Sequence, residues 1–132
     1  MEVKKYYIDL FNYNIEDNDI YGDMGYTICD MPETLCHTLE EAKKCVYDAI
    51  ECEIEENGEF DEIIPIYAIV EYTFDSDKVE DDDYTLFNND AIIEYETIYA
   101  ECPCGILFDK VNSVWKERYD FDIVNHIISY NN

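Results

Sequence analysis

Positive charge is what this sequence has least of: 8 Lys and Arg stand against 33 Asp and Glu, a formal net charge of −25 at pH 7. A chain so anionic is repelled by phosphate backbones and acidic lipid headgroups, which excludes free nucleic acid and anionic membranes as partners. Glycine is scarce as well, with 4 residues in 132, and no phosphate loop or dinucleotide fingerprint can be assembled from them. No apolar run approaches the roughly 18 residues of a membrane span. Asp9 interrupts the opening residues before a signal-peptide core can form. The chain is therefore expected to stay in the cytoplasm where it is made. Its 6 Cys are then expected to be reduced thiols, with Cys45 and Cys52 acting as small hydrophobic residues of a helix.

What is present is apolar and aromatic. Hydrophobic residues make up 48% of the chain, with 13 Tyr, 6 Phe and one Trp, which separates it from acidic disordered tails. A length of 132 residues is enough to bury one core without disulfides or a metal, so one domain is expected. The net charge exceeds the magnitude of roughly 2–8 that keeps a small domain in solution. Self-repulsion of that size asks for something to offset it, either a partner or an unusual solvent. The solvent of a halophile is the weaker explanation, because the chain is rich in Ile, Tyr and Asn and keeps its Cys.

Along the chain, the aromatic and β-branched residues 6–13 read as a strand that runs into a loop over the Asn- and Asp-rich residues 14–19. A second strand is expected at residues 25–29. Thr38-Leu39-Glu40-Glu41 matches a capping box, so a helix should start there. Leu39, Ala42, Val46, Ala49 and Ile50 give it an apolar stripe, and Asn57-Gly58 should end it. Residues 63–74 are the most hydrophobic run and strongly β-prone, with Pro65 expected at the start or on an edge because it lacks an N–H. Residues 75–83, six of them acidic, must be an exposed connection. A short strand is expected at residues 84–88. Residues 91–101 divide between two readings, since Ile92, Tyr95 and Tyr99 have helical spacing while Ile, Tyr and Thr favour a strand; helix is the reading adopted. Cys102-Pro103-Cys104-Gly105 is turn chemistry, residues 106–108 read as a short strand, and residues 120–130 as a closing helix with Phe121, Val124 and Ile128 inward. The sum is an α+β domain with a mainly antiparallel sheet and two or three helices.

The acids are not spread evenly. Residues 48–62 hold eight of them with no Lys or Arg, and residues 71–101 hold eleven against Lys78 alone. Residues 110–132 are neutral, with three of each sign. Ordinary solvated faces mix signs, so the near absence of Lys marks these segments as binding surface. The candidate partner-binding residues are Glu41, Asp48, Glu51, Glu55, Glu56 and Glu59 from the helix and its end. Asp75, Asp77, Glu80, Asp81, Asp82, Asp83, Glu94 and Glu96 are the candidates from the second segment. Carboxylates one helical turn apart have Cβ atoms about 5–6 Å apart, comparable with the phosphate spacing along a nucleic-acid strand, where each nucleotide advances about 3.4 Å. Tyr72, Tyr84, Tyr95 and Tyr99 lie among these acids, and any exposed rings can stack on arginines as bases do, though most tyrosines should be core or sheet-face residues.

In these two acid-rich segments within a small, Tyr-rich domain, the chain resembles the DNA-mimicking inhibitors of bacterial defence, the anti-CRISPR and anti-restriction proteins of phages and mobile elements. The resemblance is one of composition and carries no aligned motif. It implies a stoichiometric inhibitor that occupies the DNA- or guide-RNA-binding surface of a Cas or restriction protein, in the host cytoplasm if phage-encoded. An alternative is an immunity-type binder that neutralises a cationic nuclease toxin, and a third is an assembly factor for a basic protein.

Chemistry is harder to draw from these residues. Cys29, Cys36, His37, Cys102 and Cys104 lack the spacing of a zinc knuckle. The aspartates of residues 75–83 lack the glycine and terminal Glu of a calcium loop. Neither His37 nor His126, the latter expected on the polar side of the closing helix, has a nucleophile beside it in sequence. No enzymatic activity, cofactor or metal is expected.

Overall fold

The computed structural model of the protein describes residues 1–22, 35–57, 62–81, 84 and 89–126. One five-stranded sheet organises it, in the order β2-β1-β3-β4-β5, with antiparallel pairing except between β4 and β5. The strands are β1 (Glu2–Asn14), β2 (Asp19–Tyr21), β3 (Ile63–Asp75), β4 (Ile92–Cys102) and β5 (Val124–Asn125). Two α-helices, α1 (Leu39–Asn57) and α2 (Phe108–Tyr119), join them in the described residues. The α+β class read from the sequence is the class observed.

β1 and β3 form the spine, paired over thirteen residues from Glu2↔Asp75 to Asn14↔Ile63. Pro65 sits near the start of β3, where β4 has not yet begun to pair, so its missing N–H costs the β3–β4 ladder nothing. The β1–β2 turn uses local side-chain bonds: the Asp17 N–H donates to Asn14 Oδ1 at 2.9 Å, and Asn18 takes the left-handed conformation, φ 52°, that Asn tolerates.

Alternation along the strands divides the core between the two faces. On one face Ile8, Tyr67 and Ile69 pack against Ala42, Val46, Ile50 and Ile54 of α1. The capping box forms as expected: the Glu41 N–H donates to Thr38 Oγ1 at 3.1 Å, and Glu41 Oε2 accepts from the His37 and Thr38 amides at 2.9 and 3.4 Å. On the other face Phe11, Tyr13, Ile64, Ile66 and Ala68 pack with Val111 and Trp115 of α2.

Four expectations are corrected. Residues 91–101 are strand, not helix. β4 carries two bulges, with Ile93 and Ile98 as the extra residues. Each bulge shifts the alternation by one, so the α2-facing residues run Ile92, Tyr95, Thr97, Ala100, Cys102, and the three-residue steps imitate helical spacing. Residues 106–108 are not a strand: Gly105, at φ 51°, opens a 3-10 turn, Gly105–Leu107, that leads into α2. The helix ends at Tyr119 instead of occupying residues 120–130, because Asp120 is a left-handed cap, φ 58°, whose N–H donates to the Lys116 carbonyl at 3.1 Å. Val124 and Asn125 then pair in parallel with Glu101 and Cys102. Tyr84 is not in a strand. The expected strand at residues 25–29 and the rest of that at 84–88 lie outside the described residues, as do residues 127–130.

Candidate partner-binding surface

The register of the central strands gathers charge on the α1 face, beyond the part of the sheet that α1 covers. Glu71 stands opposite Tyr6 and Glu96, and Thr73 opposite Lys4 and Glu94, so all six side chains share one face. Glu71, Thr73, Glu94, Tyr95 and Glu96 line a cleft of about 80 Å³. Lys4 Nζ reaches Glu71 Oε1 at 2.9 Å, and the Tyr6 hydroxyl donates to Glu71 Oε2 at 3.2 Å. That hydrogen bond to Glu71, with the charges of Glu71 and Glu94, holds the Lys4 ammonium above its ordinary pKa. A cation placed here is thus already favoured by the field, and three carboxylates face one ammonium. Burial and the Glu71 contact raise the Tyr6 phenol.

The sequence-predicted residues divide into those left free for a partner and those committed within the fold. Glu94 and Glu96 are exposed and lie together on β4. Asp75 and Asp77 follow at the end of β3, 3.9 and 3.6 Å from the Met1 ammonium, and Glu80 and Asp81 are exposed beyond them. On α1, Asp48 and Glu55 are exposed, but Glu41 is engaged in the capping box and Glu51 turns towards His126. Glu59, Asp82, Asp83 and the side chain of Glu56 lie outside the described residues. The charge is polarised between the faces: α1 carries seven acids against Lys43 and Lys44, whereas α2 carries Asp109 and Glu117 against Lys110, Lys116 and Arg118. Of the tyrosines among the acids, Tyr95 is 68% exposed and stacks on half-buried Tyr72 at 5.3 Å, so it alone of the four presents most of its ring outward.

A second polar cluster lies between α1 and the end of β4. His126 is buried, not on the polar side of a helix; its Nδ1 lies 2.5 Å from Glu101 Oε2 and its Nε2 lies 2.8 Å from Glu51 Oε1. Tyr99 donates its hydroxyl to the other oxygen of Glu101, and Tyr47 packs its ring 4.8 Å from the imidazole. Burial lowers the His126 pKa, but the hydrogen bonds and charges of Glu101 and Glu51 outweigh it and leave it raised. Burial, then the bond to Glu101, pushes the Tyr99 phenol up. Both imidazole nitrogens are engaged, so the cluster ties α1, β4 and the chain after β5 together and leaves neither nitrogen for a substrate.

The described thiols differ in exposure. Cys102 and Cys104 are buried with their Sγ atoms 2.7 Å apart, and burial pushes the Cys102 thiol well up. Cys45 is half-buried as expected, whereas Cys52 is exposed. Cys36 bridges Tyr6 on the edge of β1, and His37 Nδ1 lies 2.7 Å from Lys5 Nζ. Cys29 lies outside the described residues. Among the described residues, no three His, Cys, Asp or Glu side chains are arranged to hold a metal ion, and no helix is long and apolar enough to cross a membrane.

Sequence reasoning missed Glu71 and Glu101; Glu71 carries a signal, an acid within the apolar run of β3, whereas Glu101 follows Glu94 and Glu96 in β4 and does not stand out. It had no signal that His126 meets Glu51, 75 positions away. Comparison with protein-family models, with curated proteins and with solved structures finds no match.

Proposed function

We propose that this protein is an acidic inhibitor that binds the basic DNA- or guide-RNA-binding surface of a bacterial defence effector in the cytoplasm, in place of the nucleic acid. The observation that carries the reading is the carboxylate-lined face of β3 and β4, where Glu71, Glu94 and Glu96 converge with little opposing charge. Alternate residues of an antiparallel strand advance about 6.8 Å, the same as two nucleotides of a strand that rises about 3.4 Å each. Glu94 and Glu96 therefore match every second phosphate in step, and Tyr95 exposes its ring on the opposite face of the sheet. A phosphate-binding groove meets such a surface quickly, steered by complementary fields, and releases it as salt screens them.

The test is capture of binding proteins from a bacterial lysate on the immobilised protein at low and then raised salt. A nuclease or guide-loaded effector is expected on the column and is expected to be displaced by competing DNA or RNA. Reversing charge in the triple variant Asp77→Lys, Glu94→Lys, Glu96→Lys is expected to weaken that partner at least about tenfold, some 1.4 kcal/mol, while leaving the far-ultraviolet circular dichroism unchanged. A folded triple variant that binds as tightly as the parent would refute the electrostatic account. Capture of a toxin that nucleic acid fails to displace would favour the immunity-type reading instead.

A further inference from the structure

Among the described residues, the outer edge of β4 is open over most of its length. β5 pairs with it only at Glu101 and Cys102, so among the described residues no strand lies against the outer side of residues 92–100. An unpaired row of N–H and C=O groups is a template for another strand, and proteins guard such rows with bulges and charge. Both devices are present. The bulges at Ile93 and Ile98 bracket a regular stretch, residues 94–97, and two of its four residues are acidic.

That guard is selective. Were two copies of this chain to pair antiparallel through Tyr95, Glu94 of each would face Glu96 of the other on one face, and like charges directly opposite destabilise a strand pair. The same carboxylates favour a strand that brings cations. Glu71 adds a third carboxylate on that side, across the cleft of about 80 Å³. On the opposite face Tyr95 is 68% exposed, with its ring supported by Tyr72, and offers apolar contact.

We propose that the outer edge of β4 at residues 94–97 takes up an extended basic segment of the partner by strand addition. Lys or Arg at two alternating positions lies beside Glu94 and Glu96, and the residue between them is apolar and packs on Tyr95. Main-chain hydrogen bonds supply the docking geometry, and the alternate side chains supply the selection. The inference rests on the proposed basic partner and specifies which part of it is held.

The probe is a set of three synthetic peptides of equal charge: the alternating Lys-Val-Arg-Val-Lys, a scrambled Val-Val-Lys-Lys-Arg, and the alternating sequence with N-methylated backbone amides. Binding is measured by titration calorimetry at low salt, and amide hydrogen exchange is followed at residues 94–97. The alternating peptide is expected to bind at least about tenfold more tightly than either control and to slow exchange at those residues, and Glu94→Lys with Glu96→Lys is expected to abolish the preference. Equal binding of all three, weakened by salt, would overturn strand addition and leave the basic-partner reading standing. No salt-sensitive binding of any of the three would overturn both. Slow exchange at residues 94–97 already in the free protein, or a dimer in sedimentation at raised salt, would show the edge covered by the chain itself or by its copy and would equally overturn the proposal.

Discussion

Replacing His126 with alanine is expected to lower the unfolding free energy by about 3–5 kcal/mol, the cost of breaking a buried ion pair by removing one partner. The residue is 6% exposed, and so is Glu101, whose remaining described partner is then the Tyr99 hydroxyl. The loss also removes the contact that ties Glu51 of α1 to the chain after β5, while the apolar packing of α1 on the sheet remains. Urea denaturation followed by circular dichroism measures it. The pH dependence has a definite sign. Because contacts with Glu101 and Glu51 raise the folded-state pKa, the imidazolium contribution is fully present below the unfolded value of about 6.5 and is lost as pH rises through the raised folded value. The urea midpoint of the parent is therefore expected to fall between about pH 6 and pH 8, below the range in which thiols of the unfolded chain ionise at about 8.5. His126→Gln, which keeps one hydrogen bond without the charge, is expected to show a flat midpoint over the same range. A flat parent midpoint would mean that the imidazole is not charged by its two carboxylates.

Trp115→Ala is expected to cost a similar amount, about 3–5 kcal/mol, through the cavity left in the core beneath α2. The indole is fully buried. It stacks on Tyr119 at 4.2 Å and takes edge contacts from Phe11 at 5.4 Å and Phe121 at 5.9 Å. One atom works against this gain: Nε1 has no hydrogen-bond acceptor among the described residues. A buried donor without a partner costs about 1–3 kcal/mol. Trp115→Phe removes that N–H along with one ring, so it is expected to cost less than half as much as alanine in the same denaturation experiment. Equal losses in the two variants would show that a phenyl ring at this site recovers none of the packing of the indole.

The parts of the fold legible in the sequence are those fixed by neighbours in the chain. The capping box at Thr38 and Glu41 and the three- and four-residue steps of Ala42, Val46 and Ile50 specify α1 locally, and the β-prone residues 6–13 and 63–74 mark most of β1 and β3, though not the charged start of β1 at Glu2 to Lys5. β4 was illegible because its bulges are set by pairing with β3, and a bulge erases the two-residue period from the sequence. α2 is not legible at all: residues 106–108 read as a short strand and a helix only from residue 120, whereas the helix starts at Phe108 and Asp120, in a left-handed conformation, ends it.

The candidate surface divides in the same way. The sequence by itself determined the amount and sign of the charge and its concentration in residues 48–62 and 71–101, because composition needs no coordinates. Only the tertiary structure decided which carboxylates remain available. Glu41 is committed to its own helix end, Glu51 to His126 and Glu71 to Lys4 and Tyr6, while Glu94 and Glu96, beside Glu71 at one cleft, stay exposed. The physical reason is register: antiparallel pairing places Glu71 opposite Glu96, 25 residues along the chain, and no local pattern in either segment encodes that meeting.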